Sequence, residues 1–115
     1  MDIRQRIQLE KRRDALIAEI QGLGNLMRGT LVQMKVRCGR KGCTCETGEK
    51  HEKVHLSVNL GGRTRGCYVG RGREETVAGL LAEYQVAWRI IQELTEVNLA
   101  LLRGDHPGGR RRKTA

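Results

Sequence analysis

Two adjacent glycines, Gly61 and Gly62, follow a run in which Val54, Leu56, Val58 and Leu60 alternate with His55, Ser57 and Asn59. An apolar period of two is the pattern of a strand with one covered face, and a Gly-Gly pair supplies the positive φ angles that a two-residue hairpin turn requires. Residues 63–69 are therefore the returning strand. With these glycines as the turn, Leu60 faces Arg63, Val58 faces Arg65, Leu56 faces Cys67 and Val54 faces Val69. Upstream, from Thr30, Val32, Met34, Val36 and Cys38 alternate with Gln33, Lys35 and Arg37, which predicts a further half-buried strand with a basic outer face. The three strands make an antiparallel meander.

Helical periodicity flanks the meander on both sides. Leu9, Leu16 and Leu23 recur at seven-residue intervals within residues 3–21 and beyond, with Ile20 and Met27 in a second seam position that Arg13 interrupts. Gly22 and Gly24 mark the end of that helix or a bend in it. Residues 73–103 form a long helix, with Val77, Leu80, Leu81, Tyr84, Ala87, Trp88, Ile91, Leu94, Leu101 and Leu102 as its apolar positions and Asn98 in line with Val77, Tyr84 and Ile91. Its length of about 45 Å is roughly twice the reach of the strands, so part of it must cover another apolar surface, either the first helix or a second copy of the chain. The fold class is α+β, one domain in four segments: the amphipathic helix of 1–27, the basic β-meander of 28–72, the long helix of 73–103 and a disordered basic tail of 104–115.

At 115 residues, with 3% aromatic residues and no Phe, the chain builds its core from aliphatic side chains and would gain from a staple or a partner. A staple is available in the loop between the first two strands. Cys38, Cys43, Cys45 and His51 fall within fourteen residues, enough to surround a tetrahedral Zn²⁺, with Gly39, Gly42 and Gly48 between them to allow unusual backbone angles. Arg37, Arg40 and Lys41 favour the thiolate form and offset its charge. The fourth ligand is open among His51, His55 and Cys67, the last of which also reads as a small core residue on the face of Val54, Leu56 and Val69. No pair of carboxylates, Ser-His arrangement or phosphate-cradling glycine motif accompanies the cluster, so the zinc is read as structural and the protein as non-enzymatic. There is no run of apolar residues long enough to span a bilayer and no signal-peptide pattern at Met1, which predicts a cytoplasmic protein with reduced thiols and no membrane partner.

The net charge of +9 is concentrated. Between residues 22 and 72 ten Lys and Arg stand against three Glu, whereas residues 73–103 hold three bases against five acids. Lys35, Arg37, Arg40, Lys41, Lys50, Lys53, Arg63, Arg65 and Arg71, with Arg110, Arg111, Arg112 and Lys113 of the tail, are the candidate contacts to the phosphates of RNA or DNA. With Tyr68 the one aromatic residue of the basic segment, backbone or shape recognition of a duplex or folded RNA is expected to outweigh base stacking and sequence readout.

The run from Val36 to Cys45, His51, the Gly61-Gly-Arg-Thr-Arg turn, Tyr68-Val69 and the helix end from Val97 to Arg103 resemble a family of small uncharacterised bacterial and archaeal proteins. The resemblance spans about residues 26–103 and is most specific at the cysteine loop. It implies Cys38, Cys43, Cys45 and His51 as the matching loop set and an association with transposase-like genes, and it brings no established activity. Glu52-Lys53-Val54 departs from the family's usual Gly-Pro-aromatic stretch, and Gly70 stands where proline is usual, which leaves the local turn and any aromatic platform open. Together these features predict a nucleic-acid-binding accessory protein with a structural zinc, serving a mobile element within a transposase-like or ribonucleoprotein complex. A helical adaptor is the alternative: a homodimer or partner-helix protein whose long helix is the functional surface, with Asn98 setting register. A third reading makes the cysteines a redox switch.

Overall fold

A computed structural model describes residues 1–36, 39, 41, 42, 48 and 51–105. Its elements are α1 (Ile3–Gln21), β1 (Thr30–Val36), β2 (His51–Leu60), β3 (Arg63–Val69) and α2 (Glu74–Asp105). The strands form an antiparallel sheet in the order β1-β2-β3, so the architecture is the expected α+β arrangement of a helix, a meander and a long helix. By its contacts the chain divides into two compact units, Met1–Gly24 with Gln85–Ala115, and Asn25–Tyr84. No helix among the described residues is long and apolar enough to cross a membrane. Cys38, Cys43 and Cys45 of the candidate metal loop, together with Arg37, Arg40, Lys50 and the basic residues 110–113, lie outside the described residues.

In the helical unit, a capping box starts α1. The Asp2 carboxylate accepts from the Gln5 N–H at 2.8 Å and the Gln5 side chain accepts from the Asp2 N–H at 3.2 Å, satisfying donors that the first turn leaves unpaired. The helix stops at Gly22, so Met27 does not extend its seam. Leu16 is completely buried against Ile90, Val97 and Leu101, with Leu9, Leu23 and Leu94 around them. The seven-residue spacing of Leu9, Leu16 and Leu23 thus identifies the packed face of α1.

The packed face of α2 differs from the expected stripe. Ile90 and Val97, outside that stripe, are buried with Ala87 and Leu101, whereas Trp88, Ile91 and Leu102 are 47%, 46% and 67% exposed. Between Val86 and Leu102 apolar residues occur on almost every side of this helix, and at 100° per residue two different stripes fit equally well. Packing on α1 selects the stripe of Ile90, Leu94, Val97 and Leu101. A ring of alternating charges reinforces the choice: Arg12 contacts Glu93, with Nε at 2.6 Å, and Glu19 at 4.0 Å, while Arg89 lies 3.7 Å from Glu19 and 3.8 Å from Glu93. All four side chains are partly exposed, so each pair contributes at most about 1 kcal/mol and the ring specifies pairing more than it stabilises. α2 continues through Asp105, which puts Gly104 inside the helix and not at the start of the tail.

In the sheet unit the hairpin has the expected register, Leu60 with Arg63 through to Val54 with Val69, and Gly61 and Gly62 hold φ of 60° and 80°. β1 pairs Leu31 with Leu56 and Val32 with His55. Since partners in an antiparallel ladder share a face and neighbours along a strand alternate, Leu31 joins Leu56, a buried residue, together with half-buried Val54, Val58 and Val69 on the inner face. Val32 and Met34 fall on the outer face and are about 40% exposed, so the half-buried side of β1 is Leu31 and not the expected Val32-Met34 row. Alternation shows that a strand has two sides; only the register decides which faces inward. Cys67 shares the inner face with Leu56 as expected, yet it is exposed, because it lies on an edge strand beyond the cover over Leu56. That cover includes Gly29, where a Cβ would sit 3.0 Å from Leu56 Cδ1 and 3.2 Å from Val58 Cγ2.

Ile90→Ala should cost about 2–5 kcal/mol, the range for truncating a buried aliphatic side chain, whereas Ile91→Ala should cost less than about 1 kcal/mol. Urea denaturation of the two variants checks which face of α2 is the core.

Candidate nucleic-acid interface

The sheet distributes the predicted basic residues over both its faces and both its ends. Arg63 and Arg65 lie on the inner-face side of β3 next to the hairpin turn, opposite Leu60 and Val58, and both are exposed. Lys35 is on the same face at the far end of β1, opposite Glu52, and Lys53 is on the outer face beside Met34. Arg71 follows β3 in the turn before α2, and Lys41 is in a turn with Gly42. The structure therefore brings Arg63 and Arg65 together, two residues apart on one strand, and separates them from Lys35 and Lys53 by roughly 17–26 Å of strand.

The basic residues are partnered differently in the two units. In the helical unit Arg6 pairs with Glu10, Arg13 with Asp14, and Arg12 and Arg89 with Glu19 and Glu93, while Arg4, Lys11 and Arg103 form no ion pair among the described residues. In the sheet unit Lys35, Lys41, Lys53, Arg63, Arg65 and Arg71 are all exposed and form no ion pair among the described residues.

Of the three candidates for a fourth metal ligand, His51 alone opens β2 at the loop end of the sheet. The ladder pairs it with Val36, the last residue of the strand that leads towards Cys38. Cys67 pairs with Leu56, five residues further along β2 and on the opposite face from His51, so the two cannot bind one ion. His55 is four residues along on the same face as His51 and is engaged elsewhere. Gly39 and Gly42 hold φ of 76° and 80°, the left-handed conformation expected of glycines in a tight loop. Among the described residues no group of three or more His, Cys, Asp or Glu stands together.

The outer face holds an arrangement that sequence reasoning missed. The His55 ring lies over Gly66, where a Cβ would overlap the imidazole, and stands edge-on to Tyr68 with ring centroids 5.3 Å apart and planes at 83°. Lys53 Nζ is 5.4 Å from the centre of the Tyr68 ring. His55 Nδ1 is buried with no hydrogen-bond partner among the described residues, a cost accepted at this position. The available signal was the pairing of His55 with Tyr68, which follows from the hairpin register, and the glycine diagonal to it, a combination known to let an aromatic ring cover a strand glycine.

A family model described as a domain of unknown function (DUF6788) matches residues 6–78, from α1 through the whole sheet to the start of α2. No curated protein and no solved structure matches the chain.

Gly66→Ala should destabilise the protein by about 1–3 kcal/mol, the usual range for overpacking, by displacing the His55 ring. Gly70→Ala, which meets nothing within 4 Å, is the control and should be neutral within about 0.5 kcal/mol. Denaturant titration of the two variants measures the difference.

Proposed function

The chain belongs to the DUF6788 family, whose description assigns no activity, and from its residues we propose a non-enzymatic nucleic-acid-binding accessory protein that carries a structural zinc. The observation that carries this reading is the unpaired charge of the sheet unit. Six exposed Lys and Arg side chains there lack an acidic partner among the described residues, while four arginines of the helical unit are ion-paired. A base that serves only solubility gains from a neighbouring carboxylate as readily as from water. Bases free of acidic partners on both faces of the sheet suit a polyanion, whose phosphates release counterions when neutralised.

Cys38, Cys43, Cys45 and His51 are the proposed zinc ligands. Three thiolates and an imidazole suit Zn²⁺, whose binding would close the loop between β1 and β2 and add folding energy to a core short of aromatic residues. The position of His51 beside Val36 supports its choice over Cys67 and His55. The resemblance of the cysteine loop to proteins found near transposase-like genes extends the proposal to a mobile-element complex or a ribonucleoprotein.

The helical adaptor reading is favoured by a different observation, the exposed stripe of Trp88, Ile91 and Leu102 on α2. The two readings are compatible, since a dimer doubles the basic surface. Concentration-dependent association without affinity for any nucleic acid would favour the adaptor alone.

Two measurements test the proposal. The salt dependence of binding to labelled RNA and DNA should be steep, and Arg63→Gln with Arg65→Gln should flatten the log-log slope by about 1.4–1.8, the value for two lost phosphate contacts. Absence of binding by the unaltered protein at low salt rejects the reading. Elemental analysis of protein purified without chelator should find stoichiometric zinc, reduced in His51→Ala and retained in Cys67→Ser. Protein free of zinc rejects the structural metal and raises the redox reading.

A further inference from the structure

We propose that the outer face of the sheet is a stacking site for an unpaired base of single-stranded nucleic acid, with the Tyr68 ring as its platform and Lys53 as the contact to the adjoining phosphate. The inference rests on the nucleic-acid reading above and names the form of nucleic acid and the residues that engage it. Tyr68 is 63% exposed on the edge strand β3, where an aromatic ring gains little from burial. It is nonetheless held in place. His55 stands edge-on to it at 5.3 Å, and His55 is itself fixed over Gly66, the one residue type that leaves room for the imidazole. An exposed ring with a fixed orientation loses little conformational freedom when a base is laid on it.

The surrounding charge and polarity suit the same occupant. Lys53 Nζ, 5.4 Å from the ring centre, belongs to a flexible exposed side chain that can swing from the ring to a phosphate. No strand residue described on this face is Asp or Glu, whereas Thr30, Ser57, Asn59 and Thr64 supply hydroxyl and amide groups that can bond base edges or sugars. Bases inside a duplex are already stacked and cannot reach a flat sheet face, so the site discriminates in favour of single strands.

The test compares binding of the full chain to short labelled oligo-U, oligo-dT and a duplex by fluorescence anisotropy. Tyr68→Ala should weaken single-strand binding about 5- to 150-fold, the effect of losing one stacked base, with duplex affinity and salt slope unchanged. Tyr68→Leu, which keeps a bulky apolar side chain on the strand, should lose affinity like Tyr68→Ala, and Tyr68→Phe should restore it, with circular dichroism checking the fold of each. Single-strand affinity unchanged in Tyr68→Ala and Tyr68→Leu, while Arg63→Gln with Arg65→Gln weakens binding, overturns the stacking site and leaves the nucleic-acid reading standing. Failure of the unaltered protein to bind any of the three probes overturns both.

Discussion

The register of β2 against its two neighbours determines the character of the sheet unit. Pairing Leu56 with Leu31 on one side and Cys67 on the other makes one face the inner one, and every other residue of the three strands is assigned by alternation from that choice. The inner face holds the buried leucine. The outer face is left with Val32, Met34, Lys53, His55 and Tyr68, a mixed apolar, cationic and aromatic surface that no single strand displays by itself. A shift of one residue in β1 would bury Val32 and Met34 and expose Leu31. The chain prevents it at two points: the close approach of Gly29 to Leu56 and Val58, and the hydrogen bond from the Met27 N–H to the Leu80 carbonyl, which anchors the approach to β1.

Electrostatics divides along the same lines as packing. Within the helical unit, Arg12 and Arg89 alternate with Glu19 and Glu93 in a ring of ion pairs. Such a ring adds little stability in water but penalises helix pairings that would set like charges together. In the sheet unit few carboxylates are within reach of the bases, and one of them, Glu52, stands opposite Lys35 in the ladder without forming an ion pair with it. Its field therefore extends outward. Part of the charge of the helical unit is complemented within the chain, whereas the exposed bases of β1, β2 and β3 have no acidic partner among the described residues.

How much of this is legible in the residues depends on how many alternatives each local signal leaves. The β2-β3 hairpin is legible to the level of register, because two consecutive positive-φ glycines admit a two-residue turn and little else. The face of α1 is legible because its leucines recur at one spacing among charges. On α2 the signal is ambiguous: Trp88, Ile91 and Leu102 outline a stripe as regular as that of Ile90, Val97 and Leu101, and the decision lies with Leu16 on another helix. β1 fails for a similar reason, since Val32 and Met34 alternate as a buried row would, yet the partner strand offers His55 and Lys53 opposite them. Of the candidate site, the unpaired bases were legible one by one. The platform was not, because it combines residues from two strands with a glycine whose importance lies in the side chain it lacks.

The proposed zinc loop and the proposed stacking site are linked through β2. His51, Lys53 and His55 alternate along one face of this strand, so a metal held at His51 would fix the end of the row that leads to Tyr68. The strand is long, ten residues against seven in each neighbour, and its first residues reach past the end of β3, where only β1 pairs with them. An overhanging strand end loses ladder bonds on one side and frays more readily than the middle of the sheet. A metal ligated there would offset that loss where Lys53 is anchored, and so would hold the cation in place beside the ring. Such a staple would stabilise a small core and also pre-position the charged end of the proposed binding surface, which is a reason for the ligand to be the histidine that opens β2 and not the cysteine on β3.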